Sequence, residues 1–206
     1  MSGLSDALAA YLGPAAAARI RSVRIGIAGA GGLGSNCAQY LVRSGFCRLR
    51  LVDFDVVEPS NLNRQFYFAA QIGRPKTAAL RANLLAIEPD LDIEAVAGRI
   101  TSHNVLDLFG DREVVVEALD EPESKAMLVE ALVGRVGCVV AASGLAGWGG
   151  ADAITVRRVR DDFYLVGDLV TEVGPGRPPL APRVNVAAAK QADVVLEWVL
   201  RKAKEE

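Results

Sequence analysis

The segment Gly29-Ala30-Gly31-Gly32-Leu33-Gly34 matches G-x-G-x-x-G between an apolar run and a helical pattern. Glycine is needed where the backbone turns tightly and where a phosphate must reach main-chain N–H groups with no Cβ in the way. In a strand–turn–helix setting the motif points to a nucleotide and leaves open which one. Asp53 ends the next apolar run, where an acidic residue accepts hydrogen bonds from ribose hydroxyls. On these residues alone a nicotinamide-dependent dehydrogenase is the leading reading.

The stretch Leu51-Val52-Asp53-Phe54-Asp55-Val56-Val57-Glu58-Pro59-Ser60-Asn61-Leu62-Asn63-Arg64-Gln65 shifts it. Ser60, Asn61, Asn63, Arg64 and Gln65 crowd a hydroxyl, amides and a guanidinium beside the expected ribose site. A triphosphate needs such charge-assisted donors, whereas a dinucleotide pyrophosphate is served mostly by a helix N-terminus. Lys76, after Pro75 at an expected helix start, adds a cation able to converge with Arg64. The plainer alternative is that residues 61–65 satisfy their own loop backbone. Asp120 also reads two ways that can hold together. It caps a helix with Glu123 three residues on, or it faces the ligand from the edge of a sheet. His103 is the only histidine and is expected at a surface helix start. No Ser-His-Asp or Cys-His pair is available for nucleophilic catalysis, and no acid/base for hydride transfer is evident.

These residues need a frame that brings them to one edge. Residues 1–22 read as a helix, or as two helices broken at Gly13-Pro14. Residues 23–28 and 47–53 read as strands around a helix at 33–44, a unit long enough for a right-handed crossover. The connection over 55–72 is long enough to be functional. Pro75 opens a helix to Ile87; 93–97 is a strand and 105–109 a short helix. Residues 114–119 and 136–142 are apolar enough for strands covered on both faces, with a helix from Asp120 between them. Residues 151–159 and 163–168 form an antiparallel hairpin. A Gly/Pro-rich stretch over 174–182 is expected to be mobile, and a last helix runs over 184–204. The expected fold is a doubly wound, mostly parallel Rossmann-like α/β sheet, with the hairpin and terminal helices, in a single domain over 1–206.

The composition agrees. The 206 residues are 51% hydrophobic and 23% charged with a formal charge of −2, which excludes a disordered chain and gives no reason to expect nucleic acid. No apolar run approaches the roughly 20 residues that cross a bilayer. Asp6 and the break at Gly13-Pro14 argue against a leader peptide. Cys37, Cys47 and Cys138 contain no C-x-x-C pair, so reduced, buried thiols in a cytoplasmic protein are expected rather than disulfides or zinc.

Taken together, the glycine turn, Asp53-Phe54-Asp55, the run from Ser60 to Gln65, Pro75-Lys76 and Asp120 resemble the ubiquitin-activating-enzyme-like adenylyltransferases, the family of ThiF and MoeB. With Ala141-Ala142-Ser143-Gly144 and Ala181-Pro182-Arg183 included, the chain is most similar to a short subgroup that adenylylates ThiS, the sulfur carrier of thiamine thiazole synthesis. The resemblance implies ATP and Mg²⁺ as cofactors and a homodimer. It implies as partner a small ubiquitin-like carrier protein with a Gly-Gly C-terminus, whose carboxylate attacks the α-phosphate. It places Gly29, Gly31, Gly32, Leu33, Gly34, Asp53, Asp55, Ser60, Asn61, Asn63, Arg64, Gln65 and Lys76 on the nucleotide. Arg64, Lys76 and Asp120 are the implied catalytic residues, with Asp120 on Mg²⁺. Gly144, Gly147, Gly149 and Gly150 either admit an extended Gly-Gly tail or form an ordinary turn.

Three departures from the family limit the expectation. The paired C-x-x-C zinc ligands of the long members are absent, so no zinc site is expected. Residues 174–182 contain no cysteine, so covalent sulfur transfer on this chain is not expected. The N-terminal Arg-Tyr-Ser-Arg-like motif is missing, with Arg19, Arg21 and Arg24 as open substitutes. A carrier-binding homologue without chemistry, or one serving molybdopterin or another sulfur-carrier pathway, remains an alternative.

Overall fold

The structure, a computed structural model, describes residues 3–202. The chain begins with α1 (Gly3–Leu12) and α2 (Pro14–Ser22), separated at Gly13, whose φ of 83° is left-handed. The parallel strands β1 (Arg24–Ala28), β2 (Arg48–Asp53), β3 (Asp92–Ala97), β4 (Val114–Glu117) and β5 (Cys138–Ala142) alternate with helices. Those helices are α3 (Gly32–Arg43), α4 (Lys76–Ile87), α5 (Val105–Phe109) and α6 (Pro122–Leu132). The hairpin of β6 (Thr155–Arg160) and β7 (Phe163–Gly167) precedes α7 (Ala181–Lys202). The expected end of that helix at Lys204 lies outside the described residues.

The seven strands form one sheet in the order β3-β2-β1-β4-β5-β7-β6. Only the β6–β7 pair is antiparallel. Strand side chains point alternately to the two faces, and each face is covered. Val114 and Val116 of β4 enter the larger core with Leu41, Leu80, Leu84 and Val195, under α3, α4 and α7. Val115 enters the smaller one with Phe109, Leu128 and Leu132, under α5 and α6. Every residue of β4 and β5 is buried, which explains their unbroken apolar runs. The strand order reverses between β1 and β4, so the carboxyl ends of these strands open a crevice there.

Several boundaries differ from expectation. Asp120 does not cap α6. Pro122 occupies its first turn, Glu121 precedes it, and no side chain makes a cap hydrogen bond. Pro75 stands one residue before α4, extended at ψ 131°, because it bridges to Val56. The long connection carries two short 3-10 turns, Pro59–Asn61 and Ala69–Gln71. α7 starts at Ala181, inside the segment read as a loop. Cys37, Cys47 and Cys138 are all buried; burial raises each thiol, Cys138 to about 12.

Candidate nucleotide cleft

A cleft of about 250 Å³ opens at the strand-order reversal. Its lining comes from the ends of four strands. Gly29 and Gly31 follow β1, Val52 to Asp55 end β2, Gly98 to Ile100 follow β3, and Ala118 to Glu121 follow β4. Lys76 and Ser124, on the first turns of α4 and α6, complete the wall.

The glycines have separable tasks. Gly29 adopts φ 96°, and a Cβ there would stand 2.5 Å from the Ala118 carbonyl oxygen. A Cβ on Gly34 would fall 1.8 Å from the Gly29 carbonyl oxygen, so only glycine lets α3 pack this close to the turn. A Cβ on Gly31 would meet nothing nearer than Gln65 Nε2 at 3.9 Å, which leaves that side open to a ligand. No side chain caps α3 at Gly31. Its first N–H groups therefore present the partial positive charge that draws anions to helix starts.

Asp53 is fixed by two backbone donors: Ala30 N–H reaches Oδ2 at 2.6 Å and Asp55 N–H reaches Oδ1 at 2.7 Å. Each carboxylate oxygen still has room to accept another hydrogen bond. Lys76 is buried, and its Nζ lies 2.7 Å from Asp55 Oδ2, while half of the Asp55 side chain stays exposed. A water-poor ammonium on the cleft wall interacts more strongly with an entering anion than an exposed one would. Asp120 is exposed on the cleft rim. Among the described residues its carboxylate makes no hydrogen bond or ion pair.

The 60–65 run lies beside the cleft rather than in its lining. Asn61 Oδ1 accepts Glu58 N–H at 3.0 Å, and Ser60 Oγ donates to Glu58. Arg64 Nη1 donates to the Ser60 carbonyl and to Asn63 Oδ1 at 2.8 Å, and Asn63 Nδ2 reaches the Pro179 carbonyl. The loop thus satisfies much of its own polarity, as the plainer alternative held. It still touches the start of α3. Arg64 Cγ lies 3.5 Å from where a Gly32 Cβ would be, and buried Gln65 Oε1 has no partner. Leu33 and Gly34 occupy the first turn of α3, behind the lining.

Two buried ion pairs escaped the sequence reading. Glu117, at the end of β4, binds Lys125 Nζ through both carboxylate oxygens at 3.0 Å and accepts Leu119 N–H at 2.7 Å. This pins the turn that carries Asp120. Burial pushes the Glu117 carboxyl above its ordinary value, with Lys125 working against it. The second pair joins Asp168 to Arg183, which also donates to the Gly149 and Gly150 carbonyls. It fastens α7 to the loop containing Gly144, Gly147, Gly149 and Gly150, all four left-handed. Of the open N-terminal arginines, Arg19 pairs with Glu113 and Arg21 donates to Ser5.

Removing Lys125 tests the first pair. A buried carboxylate without its partner is costly, discounted here because the Lys125 side chain is 25% exposed. Lys125→Met is expected to lose about 2 kcal/mol near pH 7 in urea melts. A carboxyl whose folded pKa is raised contributes stability that is complete below the unfolded pKa and lost as pH rises through the folded one. The penalty therefore shrinks, near about pH 4.5, towards the smaller loss of the Lys125 hydrogen bond to the Ala142 carbonyl. A pH-independent penalty would contradict this role.

The frame is a doubly wound α/β domain with an open cleft at its strand-order reversal. The ThiF family model matches residues 4–163, and the chain belongs to that family. It is 36% identical over 123 residues to the sulfur carrier protein adenylyltransferase of Thermus thermophilus, covering 59% of this chain and 45% of that protein. Identity to the SAMP-activating enzyme E1 of Haloferax volcanii is 37% over 118 residues, covering 57% of this chain and 44% of that one. The sulfur carrier protein ThiS adenylyltransferase of Bacillus subtilis is 34% identical over 129 residues, covering 61% and 38%. The matches thus span less than half of these relatives. In fold the chain is similar to the E. coli tRNA N6-threonylcarbamoyladenosine dehydratase TcdA, solved with ATP, at TM-score 0.88 and 20% identity over 98% of this chain and 95% of that one. Among the described residues no helix is long and apolar enough to cross a membrane.

Proposed function

We propose that this chain adenylylates the C-terminal glycine of a small ubiquitin-like sulfur carrier, with a ThiS-like carrier as the first choice. One observation carries the reading: the uncapped start of α3, the buried Lys76 ammonium and the unpaired Asp120 carboxylate converge on one cleft. The three relatives named for carrier adenylylation or activation support it.

The reaction asks for alignment and charge neutralisation. A carboxylate oxygen of the carrier forms a bond to the α-phosphorus of ATP, and the bond to the bridging oxygen breaks. Pyrophosphate leaves with the electron pair and the carrier becomes an acyl-adenylate. Two anions must approach, so cations and N–H dipoles are needed, and no enzyme nucleophile or general base is. In this reading the start of α3 and Lys76 hold phosphates, Asp53 holds the ribose, and Arg64 turns from its loop onto the phosphates. Asp120 suits Mg²⁺, which is commonly held by one or two carboxylates together with substrate phosphates. When bound, that ion supplies further neutralisation of phosphate charge.

Exchange of labelled pyrophosphate into ATP tests the proposal directly, because the adenylylation step is reversible. Exchange is expected only when a Gly-Gly-tailed carrier is present, and fastest with the ThiS-type member of a panel that includes the molybdopterin carrier. Fastest exchange with another member moves the chain to that carrier's pathway. Carrier binding without exchange, or no response to any member, would overturn adenylylation.

A further inference from the structure

The wall of the cleft beyond Asp53 carries two side chains that the phosphate chemistry leaves unused. Arg99 follows β3, and its guanidinium carbon lies 4.0 Å from the centroid of the Phe54 ring. Both line the cleft together with Ile100 and Leu119. Phe54 is 55% exposed, a large apolar ring standing open at the mouth. Lys76 has its carboxylate partner. Among the described residues the Arg99 guanidinium makes no hydrogen bond or ion pair, and it lies over the ring.

Position along the sheet edge assigns the task. The strand order runs β3-β2-β1-β4 across the cleft. With phosphates at the start of α3 after β1, and the ribose at Asp53 after β2, the base extends towards β3. There it meets a planar cation, an exposed aromatic ring and the aliphatic side chain of Ile100. A guanidinium is flat, weakly hydrated and suited to stacking, and the ring beneath it fixes its plane. A phosphate anchor would instead be expected near Lys76 and the start of α3.

We infer that Arg99, braced on Phe54, is the nucleobase platform of this cleft and stacks its guanidinium plane on the adenine. The inference rests on the adenylyltransferase reading only in taking an adenine nucleotide as the ligand. It adds a specificity residue on the base side, independent of the carrier.

Calorimetric titration of the full chain with ATP, AMP and adenosine tests it in wild type, Arg99→Ala, Arg99→Lys and Phe54→Ala. Both side chains are largely exposed, so the variants are expected to melt as wild type does. Arg99→Ala is expected to weaken all three ligands by a similar factor, roughly tenfold. Arg99→Lys keeps the charge without the plane and is expected to recover less than half of that loss. Phe54→Ala is expected to give a smaller loss of the same pattern. A loss confined to ATP, full rescue by lysine, or unchanged adenosine binding in Arg99→Ala overturns the inference and leaves the adenylyltransferase reading standing. Failure of the wild-type chain to bind any of the three removes that reading, and the inference with it.

Discussion

Lys76→Met is expected to lower carrier-dependent pyrophosphate exchange by about 10²–10³-fold, the usual loss when one donor to a developing oxyanion is removed. The ammonium is buried on the cleft wall, where displaced water no longer screens it. Methionine fills the same space without charge. Asp55, left without its partner, keeps a side chain 44% exposed and can be solvated instead. The melting temperature is therefore expected to stay within about 3 °C of wild type, less than 1 kcal/mol. Asp120→Ala is expected to lose exchange to a similar extent, since among the described residues it is the one cleft-lining carboxylate with neither a hydrogen bond nor an ion pair. Arg64→Ala is expected to follow them, because its stem lies on the first turn of α3 and a rotamer change frees Nη1 from Ser60 and Asn63. Exchange within about threefold of wild type in Lys76→Met or Asp120→Ala would remove those residues from the chemistry.

Much of the frame could be read from the chain because its signals are local. β4 and β5 are buried throughout, and burial on both faces writes an apolar run that no polar alternation interrupts. The glycine turn is equally local where it packs: Gly34 answers to the Gly29 carbonyl within the turn, and Gly29 to Ala118 at the neighbouring strand end. The misread helix starts share one cause, the direction in which a proline acts. Pro122 sits in the first turn of α6 and makes Glu121, not Asp120, the residue before the helix. Pro75 looks like the same signal. Its bridge to Val56 and the hydrogen bond from Lys76 N–H to the Asp55 carbonyl hold it extended, so the helix waits one residue. Tertiary contact decides between the two, and the sequence alone does not contain it.

The site was legible where type and spacing coincide with a strand end, and obscure where a partner comes from elsewhere in the chain. Asp53, Asp55, Lys76 and Asp120 were singled out by position, and all four line the cleft. Glu117 was read as one residue of an apolar strand, because Lys125 reaches it from the next helix. Arg183 and Asp168 are 15 residues apart on unlike elements, and no periodicity links them. Composition weights the run from Ser60 to Gln65 towards a ligand. The structure shows how a loop of amides and hydroxyls first binds itself, with Asn61 holding Glu58 N–H and Arg64 holding Ser60. Arg99 stands in no motif, and Phe54 enters only as the middle of Asp53-Phe54-Asp55; only the sheet order brings the end of β3 beside the end of β2.

Two alanine substitutions inside the glycine turn separate what the turn does for the fold from what it does for a ligand. Gly34→Ala is expected to prevent recovery of folded protein, or to lower the melting temperature by about 10 °C or more. Its Cβ would stand 1.8 Å from the Gly29 carbonyl oxygen and 3.3 Å from Ala118 Cβ. Relief requires α3 to withdraw from a turn that is itself held by Gly29 N–H on the Val52 carbonyl. Gly29 cannot yield, since its own left-handed conformation fits tightly against Ala118. Gly31→Ala is the contrasting case. Its φ of −78° is not left-handed, and its Cβ would reach only Gln65 Nε2 at 3.9 Å. The melting temperature is expected to change by less than about 3 °C, about 1 kcal/mol, while ATP binding weakens because the methyl group occupies the phosphate's approach to the N–H groups. Thermal melts with and without ATP read both effects. Equal destabilisation by the two substitutions would show that the whole turn serves packing, and the case for phosphates at the start of α3 would lose its footing.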